Sequence, residues 1–134
     1  ILRTALGAGY GRVICTVGTA NIWSLKVLRA GMGAHLNLEI FEMVNPADFL
    51  QKSTQAVYVT ALDSKAINLY DLGPKLLEPH TFVFGNEGQG VSGLFLERGT
   101  HIFIPQAHHV ESLNVSAAAA VCLFEARRMR QYVN

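Results

Sequence analysis

The sequence is poor in charged residues, and it contains few prolines and cysteines. Only 16% of its 134 residues are charged, and the net charge of +1 gives no overall basic signature for nucleic acid. Any contact with RNA or DNA must therefore come from a local patch. No apolar run approaches the length of a membrane span and no secretory signal is present, so we expect no membrane partner.

Cys15 and Cys122 are the only cysteines of the sequence, and each lies in an apolar run. Two buried thiols are typical of a reducing compartment, and we therefore expect a cytoplasmic location. Half of the residues are apolar, which is enough for one domain over residues 1–134 with apolar surface left for a partner. Because Ile1 to Ala5 resemble the middle of a helix with no cap, we expect this domain to lack its N-terminal part.

Apolar, strand-like segments alternate with helical segments along the chain. The predicted strands cover residues 12–17, 36–41, 56–60, 81–84 and 101–104. The predicted helices cover residues 1–8, 24–30, 46–52, 92–97 and 113–131, and the stretch 63–72 is less clear. The last helix is apolar nearly all round, which predicts burial on most sides. The alternation predicts an α/β fold with a mainly parallel sheet and helices on both faces.

Two polar loops each follow a predicted strand and lead towards a helix. The first is the glycine-rich run 84–90, and the second comprises 104–106 and 111–115. In an open α/β sheet, ligands bind outside the carboxyl ends of the strands, and glycine lets the backbone approach them closely. The glycine spacing is neither the dinucleotide-binding fingerprint nor a phosphate-binding loop. Glu87 is the informative residue: a carboxylate among glycines has little to pack against, so it either holds a ligand or caps a helix amide.

Polar residues near the last helix are further candidates. Ser112 and Asn114 stand at its predicted start, where Ser112 is either simply the N-cap or part of a site, and the two roles are compatible. Ser112 lacks the elbow motif of a catalytic serine nucleophile. His108, His109 and Glu111 fit no standard ligand spacing, so no metal site is predicted.

Arg3 is the one cation in the apolar helical segment 1–6. It is either a solvent-facing arginine or a phosphate ligand, because a guanidinium matches phosphate in a fork. The physical chemistry of the sequence leaves both roles open.

Taken together, these runs resemble the motifs of the SpoU (TrmH) family of SPOUT methyltransferases. The second motif of that family matches Phe84 to Gly90. The third matches Ile104 to Gln106 and Ser112 to Ser116, and continues through 124–128. Of the first motif only Ile1 to Ala5 remains, without the asparagine that normally precedes it. Residues 26–34 also fit, so the resemblance spans the whole chain.

The resemblance implies a parallel α/β sheet whose C-terminal part forms a deep trefoil knot, a rare exception among folds. It implies methyl transfer from S-adenosylmethionine to a ribose 2′-hydroxyl of tRNA or rRNA, by a homodimer with its active site near the interface. The residues implied in the reaction are Arg3, Glu87, Ser112 and Asn114. The residues implied in cofactor binding are Thr60, Ala61, Gly85, Asn86, Glu87, Gly90, Ile104, Gln106, Ser112, Leu113 and Asn114. Gln106 is a departure, because the family often has methionine there.

Two other functions stay open on the sequence alone. One is an RNA-binding module of the same fold that has lost catalysis, against which the retained Arg3, Glu87, Ser112 and Asn114 argue. The other is a flavodoxin-like nucleotide-binding domain unrelated to methyl transfer.

Overall fold

In a computed structural model that describes residues 1–109 and 111–131, the chain alternates between strands and helices. The strands are β1 (Arg12–Thr16), β2 (Glu39–Val44), β3 (Ala56–Thr60), β4 (Ile67–Asn68), β5 (His80–Val83) and β6 (Thr100–Phe103). The helices are α1 (Leu2–Gly7), α2 (Leu25–Gly31), α3 (Pro46–Lys52), α4 (Gly93–Arg98) and α5 (Val115–Gln131). Short 3₁₀ turns lie at Ala34–Leu36, Leu69–Asp71 and Gly73–Leu77.

All ladders between these strands are parallel. β1 pairs with β2, and the other strands form a sheet in the order β4-β6-β3-β5. The α/β class and the parallel pairing that the sequence predicts are therefore confirmed, although the strands form two hydrogen-bonded groups where one sheet was expected. A cluster of small and aliphatic side chains from α1 and α5 packs against residues of both groups; its buried members are Ala5, Ala8, Ala119 and Leu123.

The starts of α2 and α3 agree with the capping residues that precede them in the sequence. The Asn45 side chain accepts a hydrogen bond from the Ala47 amide over 2.8 Å, and Pro46 occupies the first turn of α3. Ser24 caps α2 in the same way, through a 3.3 Å bond from the Val27 amide. These signals lie within a few residues of each other, which is why the sequence reveals them.

The predicted strand 36–41 is wrong by three residues, because β2 begins at Glu39. Met32 and Gly33 both adopt left-handed backbone conformations, with φ of 48° and 83°, and they turn the chain sharply after α2. The 3₁₀ turn that follows leaves Leu36 88% exposed. Because Leu36 is apolar, the sequence pattern predicts that the strand starts there. The pairing of β2 with β1 in fact starts at Glu39 and Arg12.

The stretch 63–72, which is unclear from the sequence, contains β4, a two-residue strand whose Ile67 pairs with Ile102 of β6. The middle of the last helix is buried over much of its surface, as the sequence predicts, but not on the side of Phe124, which is 47% exposed. The opposite face of α5 is buried, and its Cys122 and Ala126 join the main core cluster.

A partly buried hydrogen-bond network at the start of β5 connects this strand to the segment before β1. The Nδ1–H of His80 donates to the Glu78 carbonyl over 2.8 Å, so Nε2 is left to accept from the Tyr10 hydroxyl over 2.6 Å. Burial lowers the pKa of His80, which keeps the imidazole neutral as this geometry requires. Burial likewise raises the pKa of Tyr10 to about 12. Within the described part of the chain, no helix is long and apolar enough to cross a bilayer.

Candidate functional site

A cleft of about 490 Å³ opens at the carboxyl ends of β3, β5 and β6. Hydrogen bonds hold these three ends together: the Thr60 hydroxyl donates to the Val83 carbonyl over 3.4 Å, and the Ala61 amide donates to the Ile102 carbonyl over 2.9 Å. This is the edge of the sheet at which the sequence predicts ligand binding.

Every residue that the sequence assigned to cofactor binding lines this cleft. These residues are Thr60, Ala61, Gly85, Asn86, Glu87, Gly90, Ile104, Gln106, Ser112, Leu113 and Asn114. The sequence analysis did not single out the apolar remainder of the wall, which consists of Leu62, Phe84, Val91, Ile102, Phe103, Val115 and Ala118. Most of these residues lie next to the predicted motifs or at the ends of the predicted strands, so their position in the sequence could have identified them as lining residues. The roles of the lining residues stay predictions.

The glycine loop closes on itself. The Gly90 amide donates to the Asn86 carbonyl over 3.0 Å, and the Gln89 amide donates to the Asn86 side chain over 2.6 Å. A Cβ atom at Gly85 would lie only 2.3 Å from the carbonyl carbon of Gly90. Glycine is therefore required at position 85 by the loop's own backbone. The sequence alone explains this glycine by the close approach of a ligand.

Asn114 links the two motif loops. Its side-chain oxygen accepts from the Ser116 amide over 2.8 Å, and its carbonyl accepts from the Ala118 amide over 2.9 Å, so Asn114 is the N-cap of α5. Of the two roles that the sequence leaves open for Ser112, that of N-cap is wrong, because α5 begins at Val115. The side-chain NH₂ of Asn114 is left to donate to Glu87 over 3.3 Å. Glu87 thus accepts a hydrogen bond from the side-chain amide of Asn114.

The cleft is graded in polarity from its floor to its mouth. Ile102 and Ile104 are buried, whereas Glu87, Ser112 and Asn114 are exposed. An apolar group therefore fits the floor, and a charged or polar group fits the mouth.

Arg3 is the one residue implied in the reaction that lies outside the cleft lining. It is exposed on α1, a helix that packs against α5. Within one chain, the fold brings Glu87, Ser112 and Asn114 together and leaves Arg3 elsewhere.

His101 secures the loop that follows β3, which forms one wall of the cleft. Its Nδ1 bonds Asp63 and its Nε2 bonds the Leu96 carbonyl, both over 2.5 Å. Both partners are acceptors, so the protonated imidazole, which carries hydrogen on both ring nitrogens, satisfies both bonds. The bond to Leu96 and then the bond to Asp63 raise the pKa of His101. Desolvation acts to raise the pKa of Asp63, but the hydrogen bonds from His101 and Lys65 lower it.

The comparison with known proteins identifies the class. The model of the SpoU rRNA methylase family matches residues 1–124, and the chain belongs to this family. An uncharacterized tRNA/rRNA methyltransferase of Synechocystis sp. is 38% identical over 133 residues, which cover 97% of this chain and 48% of that protein. The 23S rRNA (guanosine(2553)-2′-O)-methyltransferase RlmP of Bacillus subtilis is 34% identical over 130 residues, which cover 95% of this chain and 51% of that protein.

Solved structures agree with this membership. The AdoMet-bound rRNA methyltransferase of Sinorhizobium meliloti matches with a TM-score of 0.84 and 31% identity, over 95% of this chain and 49% of that chain. The chain spans about half the length of these relatives. In the described residues, no group of three histidine, cysteine or acidic side chains is arranged to hold a metal ion.

Proposed function

We propose that the chain is the catalytic part of an S-adenosylmethionine-dependent methyltransferase that acts on the ribose 2′-hydroxyl of RNA. The observation that carries the proposal is one cleft lined by both motif loops, with Glu87 held by Asn114 at its mouth. Membership of the SpoU family supports the reaction, and the relatives named as a 2′-O-methyltransferase and as AdoMet-bound support the chemistry and the cofactor. The substrate is either tRNA or rRNA.

The cleft fits this cofactor. Its volume of about 490 Å³ falls within the ~300–1,000 Å³ typical of small-molecule sites. The apolar floor suits a purine ring, and the exposed carboxylate of Glu87 suits a nearby positive charge. Residues 85–90, 104–106 and 112–114 would hold the cofactor, which supplies a methyl group on a positively charged sulfur when bound.

The chain's own residues must position the ribose and remove its proton. A hydroxyl is a poor nucleophile until its proton is removed or strongly polarised. Alignment of the hydroxyl oxygen with the methyl group lowers the remaining barrier. Glu87, Ser112 and Asn114 stand where the ribose would enter and can orient it. Because an arginine guanidinium is a donor and a poor proton acceptor, we assign Arg3 to gripping the phosphate beside the target ribose. The proton then leaves to that phosphate or to water.

A homodimer would bring Arg3 to the reaction. The Phe124 ring lies 3.8 Å from the position that a Cβ of Gly7 would occupy, so the exposed face of α5 adjoins α1. Arg3 precedes Gly7 by four residues and shares its side of α1. A second copy docked on Phe124 would therefore meet Arg3 at the interface. Analytical ultracentrifugation of the full-length protein tests this, and a monomer at micromolar concentration would contradict it.

We also propose the C-terminal trefoil knot and a cytoplasmic location. In the sheet, β6 lies between β3 and β4. The chain leaves β3, forms β4 beyond β6, and then returns to β5 on the other side of β3. Cys122 and Ala126 of α5 pack with Leu76 of that crossing segment, which supports a threaded C-terminus. An experimental structure that traces residues 56–131 tests the knot. The buried free thiols of Cys15 and Cys122 suit the reducing cytoplasm.

Ligand binding and methyl transfer test the proposal in sequence. Millimolar S-adenosylmethionine or S-adenosylhomocysteine should raise the melting temperature by mass action, whereas FMN and ATP should not. Transfer of labelled methyl groups to total RNA, followed by mapping of the modified ribose, then identifies the substrate. A folded protein that responds to FMN alone would favour the flavodoxin-like alternative. Cofactor and RNA binding without transfer by the full-length protein would favour a binding module.

A further inference from the structure

The first 38 residues of the chain contain positive charge and no negative charge. Their charged side chains are Arg3, Arg12, Lys26 and Arg29, whereas all ten acidic residues of the sequence lie between positions 39 and 134. The net charge is therefore +4 in this part and −3 in the remainder, which together give the overall +1. Such an asymmetry is typical of a protein that binds nucleic acid through one face.

These residues also form one packed lobe, which consists of α1, β1, α2 and the loops between them. Leu2 of α1 and Ile22 of the loop after β1 are buried in the same apolar cluster, and α1 packs against α2. Arg3 follows Leu2, Trp23 follows Ile22, and both Arg3 and Trp23 are exposed. The positive segment of the sequence is therefore also one region of the surface.

Trp23 is an exposed aromatic residue on a fixed support. It is the only tryptophan of the sequence, and it is 47% exposed. Its ring contacts the imidazole of His35, with the ring centroids 5.1 Å apart and the planes inclined by 49°. His35 is buried, and its Nε2 bonds the Ile22 carbonyl over 2.7 Å. The Trp23 amide donates to the Asn21 side chain over 3.0 Å, so the residue is held in place while about half of its surface is open to solvent.

Lys26 and Arg29 follow Trp23 as two cations without acidic partners. Both are exposed on α2, and their spacing of three residues places them on one face of the helix. Neither forms an ion pair within residues 1–109 and 111–131, whereas Arg12 pairs with Glu39 over 3.1 Å. An exposed ring together with such cations suits a single-stranded nucleic acid, because the ring stacks on a base and the cations meet phosphates.

We propose that this lobe is an RNA-binding face on which Trp23 stacks with an unpaired base while Lys26 and Arg29 contact the adjoining phosphates. This inference rests on the proposed function, in which Arg3 of the same lobe grips the phosphate beside the target ribose. The face extends the contact with RNA from the reacting nucleotide to its neighbours.

A protein partner is the competing occupant of this face. Leu25 and Met32 are each 71% exposed at α2 and its C-cap, and exposed apolar side chains can mark a protein interface. Charge decides between the two, because the centres of protein interfaces are depleted in lysine. A second copy docked through the same face would bring four further cations against the first four, with no acidic residue of the lobe to pair with them. The charge therefore favours RNA.

Fluorescence titration of the full-length protein tests the stacking. The probe is a single-stranded RNA of about 12 nucleotides, within the range of single-strand sites. RNA should quench the emission of Trp23, and the quenching that disappears in Trp23→Phe belongs to that ring. Trp23→Leu should weaken binding about tenfold, as the loss of one stacked base implies, whereas Trp23→Phe should retain most of the affinity. Tyr70→Leu removes an exposed ring outside the lobe and should bind as the unmodified protein does.

The salt dependence of binding tests the cations without altering Trp23. Lys26→Gln and Arg29→Gln should each reduce the slope of log K against log salt concentration by ~0.7, the contribution of one phosphate contact on a single strand. Lys75→Gln, which removes an exposed cation outside the lobe, should leave the slope unchanged. Fluorescence anisotropy of the labelled RNA measures both the affinities and the slopes.

Absence of Trp23 quenching at saturating RNA would overturn the inference, and so would an unchanged salt slope in folded Lys26→Gln, which keeps the ring. Variants that change the sedimentation of the protein but not its affinity for RNA would overturn it as well, because the face would then be a protein interface. If cofactor binding and methyl transfer persist in those cases, the proposed function stands. A folded protein that binds neither S-adenosylhomocysteine nor RNA would overturn the proposed function, and this inference with it.

Discussion

Asn114 donates a side-chain hydrogen bond to Glu87 over 3.3 Å while its own oxygen caps α5 over 2.8 Å. The two residues are 27 positions apart and belong to different motif loops. A single amide group therefore contributes both to the stability of the last helix and to the shape of the cleft. Substitutions at position 114 can separate these two contributions.

Asn114→Ala should lose both contributions, and Asn114→Asp should lose only one. Alanine removes the cap, at a cost of about 1 kcal/mol in the free energy of unfolding, and releases Glu87. Aspartate keeps an acceptor for the Ser116 amide but places a second carboxylate beside Glu87. We expect methyl transfer to fall in both variants, with some loss of cofactor affinity in Asn114→Ala. Urea unfolding and single-turnover methylation measure the two effects, and full activity in Asn114→Asp would show that the bond to Glu87 is dispensable.

Arg3→Ala in the full-length protein should leave cofactor affinity nearly intact while methyl transfer falls by orders of magnitude. Arg3 lies outside the cleft of its own chain, so it can act only on the RNA or through a partner copy. Arg3→Lys should restore little activity, because an ammonium does not reproduce the guanidinium fork. Arg98→Ala, at the end of α4, provides the control for loss of one surface charge. Calorimetry measures the cofactor affinity of each variant, and single-turnover assays measure methyl transfer. Near-normal turnover in Arg3→Ala would show that Arg3 has no part in the reaction.

Gly85→Ala should destabilise the glycine loop and abolish cofactor binding. The added Cβ would meet the Val91 nitrogen at 2.4 Å as well as the backbone of Gly90, and neither atom can give way without opening the loop. Gly88→Ala is the matched control in the same loop, since its nearest neighbour would be the Asn86 side chain at 3.7 Å. The rise in melting temperature on addition of S-adenosylhomocysteine is measured for Gly85→Ala and for Gly88→Ala. Equal ligand response in the two variants would contradict the assigned role of Gly85.

His101 should make stability fall as the pH rises. The pKa of His101 is raised in the folded state, so its contribution is complete below its unfolded pKa of about 6.5 and is lost as the pH passes the folded pKa. The lowered pKa of Asp63 has the opposite sign, and its contribution is lost as the pH falls through its folded pKa. The pair is therefore most favourable between these two pKa values.

Urea unfolding from pH 5 to 9 measures this dependence. In His101→Gln the glutamine keeps hydrogen-bonding capacity without a titrating charge, so the loss of stability as the pH rises through the folded pKa of His101 should shrink. Because His80 is untouched, the difference between the two proteins isolates His101. Identical pH profiles would mean that the bonds to Asp63 and Leu96 do not depend on the charge of the imidazole.

The sequence by itself determined the α/β class, the caps of α2 and α3 and the position of the cleft. Asn45 and Ser24 bond amides two or three residues away, so their structural role is local and readable from the chain. The motif loops follow apolar strands, and parallel strands bring their carboxyl ends to one edge, so a general rule located the site. The roles predicted for the motif residues come from the family resemblance, since periodicity carries no information about them.

Only the tertiary structure decided the features that depend on a distant partner. β4 is a strand because Ile67 pairs with Ile102, and β2 starts at Glu39 because Arg12 lies opposite. The bond between Asn114 and Glu87 arises where two separate loops converge. Such contacts join residues far apart in the chain, and their geometry is set by packing and by backbone turns that no local pattern encodes.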